Sequence, residues 1–234
     1  MASDQETVKK AYDQAISKLE SDEIIGELEK NENLRKELED VIKKVLENEG
    51  TTLASDSSTE ETLDPDFMSK LKEACETKPL EADSGDDEAR NLLICEIIIE
   101  CIMLVFSVAG FKVSVNIKVV AKSIIPAYKS SRKLQKAVDN LIAAYKKGGV
   151  NTIATSVWDV SVAAYEENIF SKVFDAIREN MSWFDWVKTS AVLIATIAAT
   201  MCTGGVAMIA KIALNINSAI SLSQKIYKLC KGDY

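Results

Sequence analysis

The chain has 234 residues, 47% of them hydrophobic and 27% charged, with a net charge of −8, three prolines, nine glycines and no histidine. Such a length and composition belong to a globular chain with a sizeable core, not to a disordered one. The missing imidazole excludes Ser-His and Cys-His nucleophile pairs, His-ligated zinc and histidine pH switching, and so few prolines and glycines leave no punctuation for a many-stranded sandwich or barrel.

Residues 4–49 read as two or three helices. Val8, Tyr12, Ala15, Ile16 and Leu19 recur at helical spacing, as do Leu34, Leu38, Val41, Ile42 and Val45. Ser21 and Asn31 or Asn33 supply N-caps between them. Residues 50–64 are polar and rich in Ser and Thr, which predicts a linker. Asp64-Pro65 then opens a short helix through Phe67, Leu71 and Cys75 that stops before Pro79, and a polar loop over 81–87 follows. Residues 91–109 form an apolar helix interrupted by Glu96 and Glu100, four apart on one face, and Gly110 ends it. The stretch 111–119 alternates strictly between apolar and polar, as a strand would, yet no second convincing strand exists to pair with it; it is read as helix. Pro126 opens a helix over 126–147 that ends at Gly148-Gly149, and 150–164 and 170–177 are amphipathic helices. Ser182 caps a last pair, 183–202 and 206–230, broken at Thr203-Gly204-Gly205.

The expected fold is all-α, a bundle of about nine helices with a central apolar hairpin. Its parts are acidic amphipathic helices (1–49), a flexible linker (50–64) and an apolar helical bundle (65–234) with 91–125 and 189–222 at the centre. Charge divides in the same way. Residues 1–90 hold 26 acids and 12 bases, a balance of −14, and the remainder holds 10 acids and 16 bases, a balance of +6. The two parts therefore attract each other or seek different partners.

Residues 189–210 carry no charge and are flanked by Lys188 and Lys211. Trp183, Phe184 and Trp186 just before them form an aromatic cluster of the kind found at membrane interfaces. The run is long enough to span a bilayer, although Gly204-Gly205 lies inside it and four threonines, Thr189, Thr196, Thr200 and Thr203, dilute it. A helix apolar all round is otherwise a core helix enclosed by others, and that reading of 189–210 is the expected one in solution. Trp183, Phe184, Trp186, Leu193, Ile197, Met201, Met208 and Ile212 are the candidate membrane-contacting or ligand-binding residues. Lys129, Arg132, Lys133 and Lys136, three and four apart, would share a helical face able to meet anionic headgroups or to dock on the acidic front third. Arginine is scarce and no aromatics interleave with these bases, which argues against nucleic acid.

Glu96 and Glu100 resemble half of a di-metal site, but such bundles need Glu-x-x-His pairs; a structural pairing with Lys211 or a lysine of 112–122 is expected instead. Asp86-Asp87-Glu88 has no partner motif and caps the following helix. No phosphate loop, nucleophile elbow or dinucleotide fingerprint is present, so neither an enzyme activity nor a cofactor or metal is expected. The five cysteines form no C-x-x-C pair. Cys95, Cys101 and Cys202 read as reduced core thiols, with a bridge from Cys75 or Cys230 as the alternative. The start lacks a secretory signal, so the expected location is the cytoplasm, with leaderless export as the alternative.

An apolar hairpin sheathed by amphipathic helices resembles, in architecture and in no motif, the soluble pore-forming helical bundles. The leading expectation is thus a non-enzymatic bundle that binds lipid or membrane, with an inserting hairpin. One alternative is a carrier of an apolar small molecule between helices. Another is an interaction protein docking through an apolar stripe at Leu34, Leu38, Val41 and Val45.

Overall fold

The computed structural model describes residues 2–18, 25–26, 28, 30–51, 65–76, 87–178 and 181–234. Among these residues the protein is all-helical, with eleven α-helices and no strand. They are α1 (Ala2–Lys18), α2 (Glu32–Thr51), α3 (Pro65–Glu76), α4 (Asp87–Val108), α5 (Ile117–Ser130), α6 (Arg132–Lys147), α7 (Val150–Glu166), α8 (Ile169–Arg178), α9 (Trp183–Cys202), α10 (Val206–Asn215) and α11 (Ile220–Lys231). The cap at Ser21, the linker over 52–64 and the loop over 81–86 lie outside the described residues.

Two helix boundaries depart from expectation: one moves, and the expected helix 206–230 is split in two. The first break falls at Ser131, not at Pro126. Pro126 sits inside α5 on its exposed side, where the carbonyl that loses its amide partner can reach water. The Ser131 side chain accepts from the Leu134 amide at 3.1 Å and so starts α6. The second lies between α10 and α11, where a 3₁₀ turn (Ile216–Ser218) separates two helices bent by 77°. The alternating stretch 111–119 is neither strand nor one helix. Residues 111–116 have no regular hydrogen-bonded structure, with the odd positions half-buried and the even ones exposed, and helix begins only at Ile117, where the Asn116 side chain caps the Val119 amide. Period-two burial is present there without any strand to pair with.

Other punctuation acts as the sequence predicts. Asn31 caps α2 through the Leu34 amide at 3.1 Å, Ser182 caps α9 through Asp185 at 3.2 Å, and Pro65 is the first residue of α3. Gly110, at φ +95°, lets the Phe111 amide return to the Phe106 carbonyl at 2.9 Å and closes α4.

The chain divides into two compact units. One comprises Met1–Asp56 and Phe174–Met208, the other Ser57–Val173 and Ile209–Tyr234. In the first, α9 packs against both α1 and α2, and α1 against α2. Ala11 and Ala15 from α1, and Leu34, Leu38 and Ile42 from α2, are buried with Ala191, Leu193, Ile194 and Ala198 of α9. Small residues on α1 permit close approach to α9. In the second unit α4 is central, with α5, α7 and α11 against it, while α6 packs on α7 and α3 on both α6 and α11. Ile97, Ile98, Ile99, Cys101, Ile102, Val105 and Phe106 of α4 are completely buried, as a helix apolar all round requires. Each unit is therefore built about its own apolar helix. The two arms of the expected hairpin, 183–202 and 206–230, fall largely in different units.

Candidate functional site

In the first unit the head of α9 carries an aromatic and cationic cluster. Trp183 and Trp186 have ring centroids 5.2 Å apart, and the Arg178 guanidinium lies 5.1 Å from one ring and 5.2 Å from the other. Trp186 is buried, and its indole N–H donates to the Phe174 carbonyl at 2.8 Å, which fixes the ring. Trp183 and Phe184 are 41% and 50% exposed. They are bulky apolar groups standing in solvent at the start of a membrane-length helix. Arg178 carries no signal in the sequence beyond its position five residues before Trp183.

The other expected contact residues sit deeper. Leu193 and Ile197 of α9 are completely buried, Met208 is buried and Met201 half-buried in the same unit, and Ile212 is buried in the second unit. A shallow groove along α1 is lined by Glu6, Lys9, Lys10, Asp13, Gln14 and Ser17. Of the stripe expected to dock a partner, Leu34 and Leu38 are buried and Val41 and Val45 half-buried.

In the second unit, the four bases expected on one face belong to two helices. Lys129 ends α5, while Arg132, Lys133 and Lys136 lie on α6, beyond the break at Ser131. All four are exposed. Lys133 pairs with Glu166, and Ser131 donates to Glu167 at 2.8 Å, so this end of α6 is stapled to α7.

Glu96 and Glu100 do find a lysine, but it is neither Lys211 nor one of 112–122. Lys225 Nζ lies 2.8 Å from Glu100 Oε1 and 3.6 Å from Glu96 Oε2. Ser221 Oγ donates to Glu100 Oε1 at 2.5 Å. The side chains are 18%, 10% and 14% exposed for Lys225, Glu96 and Glu100. The register explains the match: acids four apart on α4 face a serine and a lysine four apart on α11. Among the described residues no group of acids or cysteines is arranged to hold a metal ion.

Cys95, Cys101 and Cys202 are free, as expected, but Cys230 is disulfide-bonded. Among the described residues, α4 and α9 are the two helices long and apolar enough to cross a membrane. No family model, curated protein or solved structure matches this chain.

Proposed function

We propose that this protein is a non-catalytic, membrane-active helical bundle that carries α9 in a sheltered state and delivers it to a lipid bilayer. One observation carries the reading. A 20-residue helix of membrane length is wrapped by two charged amphipathic helices and presents exposed Trp183 and Phe184 at its head. Tryptophan and phenylalanine at such a position suit the headgroup boundary, and Arg178 beside them suits an anionic lipid phosphate. In water the sheath is stable because each fully buried Leu or Ile of α9 contributes about 1.5–3 kcal/mol. A bilayer offers the same side chains an equivalent apolar environment, so exchange of α1 and α2 for lipid removes the penalty of opening. The disulfide at Cys230 favours an oxidising compartment, hence action outside the cytoplasm, in place of the cytoplasmic location expected from sequence.

The test uses the full chain with vesicles of phosphatidylcholine, with and without phosphatidylserine. Insertion predicts co-sedimentation, a blue shift of tryptophan emission and release of a trapped dye, all weakened by Trp183→Ala together with Phe184→Ala. No sedimentation with either vesicle defeats the reading.

A further inference from the structure

The second unit carries a basic ridge separate from the aromatic head of α9. On α5, Lys118, Lys122 and Lys129 are all exposed, and at 3.6 residues per turn they fall within about 40° of one another around the helix axis. None forms an ion pair or a side-chain hydrogen bond among the described residues. The sequence from 101 to 138 contains no acid, so nothing local on the helix offsets their mutual repulsion. Like charges four apart destabilise a helix, and on neighbouring α6 the exposed Lys133 has been given Glu166. Beside the ridge stand Val119, 61% exposed, and Pro126, also exposed. The opposite face is anchored by buried Val120, Ala121, Ile124 and Tyr128, which leaves the lysines fixed on a rigid element.

Three unpaired lysines in line, flanked by exposed apolar side chains, match a flat, negatively charged surface with an apolar layer beneath it. We infer that the Lys118–Lys122–Lys129 face of α5 docks the protein on anionic phospholipid. A nucleic acid fits less well, because the ridge has neither an arginine for bidentate phosphate contact nor an aromatic for stacking. This inference rests on the membrane reading above but concerns adsorption, not insertion.

The experiment measures partitioning of the full-length protein onto phosphatidylserine-containing vesicles. It compares wild type, Lys118→Gln/Lys122→Gln/Lys129→Gln, and a control with the same charge change in the acidic third, Lys9→Gln/Lys43→Gln/Lys44→Gln. Far-UV circular dichroism checks that each variant folds. At roughly fivefold per base near a charged membrane, the ridge variant should bind about 100-fold more weakly, the control within about twofold of wild type, and ~1 M salt should abolish the difference by screening. Equal binding by ridge variant and control overturns the inference, and so does tighter binding of wild type to duplex DNA or RNA than to vesicles at the same salt. Tryptophan emission and dye release in the same samples separate the two readings. Ridge-dependent adsorption without a blue shift or leakage supports the docking face and removes insertion. Leakage that is equal in wild type and ridge variant does the reverse.

Discussion

Replacing Lys225 by Met tests how the second unit holds α11 on its apolar helix. The substitution keeps the apolar stem and removes the charge that faces Glu96 and Glu100. Breaking a buried pair from one side costs about 3–5 kcal/mol, because the remaining charge is left without compensation. Here the acid side chains keep 10% and 14% of their exposure and Ser221 still donates to Glu100, which places the loss near the lower end, about 3 kcal/mol. Urea unfolding followed by far-UV circular dichroism should move the midpoint of one transition down by about 1–2 M, taking a slope near 2 kcal/mol/M. Neutralising the acids as well, in Glu96→Gln/Glu100→Gln/Lys225→Met, should restore most of the loss, since no unpaired charge then remains buried. A loss below about 1 kcal/mol for Lys225→Met alone refutes the reasoning: the cluster would then behave as a solvent-screened surface pair.

Ser131→Ala removes the cap of α6 and the donor to Glu167 together, and should lower stability by about 1–2 kcal/mol in the same urea assay. Tyr145 is completely buried, its hydroxyl 3.3 Å from Ser223 Oγ, and burial holds its pKa above the usual tyrosine value. Its unfolded form ionises first as pH rises past about 10, so the stability it contributes is present below that pH and is lost above it. Thermal unfolding at stepped alkaline pH should show a steep fall in wild type and a shallower one in Tyr145→Phe. Reductant should destabilise the protein by about 2–4 kcal/mol through the Cys230 bridge, and Cys230→Ser should abolish that response to reductant.

Elements with strong local signals were legible in the sequence. The caps at Asn31 and Ser182, the proline opening α3 and the glycine closing α4 act through side-chain and φ preferences that need no tertiary partner. The apolar character of α4 and α9 likewise showed in composition alone. What stayed hidden depends on which element meets which. A local rule puts Pro126 at a helix start; it lies within α5 because its lost amide bond falls on the exposed side and Ser131 is the stronger stop. Lys225 is more than a hundred residues from Glu96 in sequence, and only the packing of α11 on α4 selects it over the nearer Lys118 or Lys122. The aromatic head of α9 was legible as a cluster, but its Arg178 partner belongs to the preceding helix. The sequence places the basic face on one continuous helix. Once the chain breaks at Ser131, Lys129 groups with Lys118 and Lys122 instead.

The two membrane-length helices are held by unequal means, and this predicts which one leaves its sheath first. α4 is tied to α11 by the partly buried cluster of Lys225, Glu96 and Glu100, and α11 in turn carries the bonded Cys230. Cross-helix ion pairing to α9 runs from Lys188 to Glu37 at 2.8 Å with both side chains more than 40% exposed, a class of pair worth about 0–1 kcal/mol. α1 packs on α9 with the small residues Ala11 and Ala15 buried, and Cys202 lies 3.6 Å from Gln14. Opening of the first unit should therefore be the lower-energy event. Native-state hydrogen exchange resolved by peptide should show amides of 187–202 exchanging faster than those of 93–106, with the gap narrowing in Lys225→Met. Equal protection of the two helices in the wild-type protein would mean that they open together, and the sheltered-α9 reading would lose its physical basis.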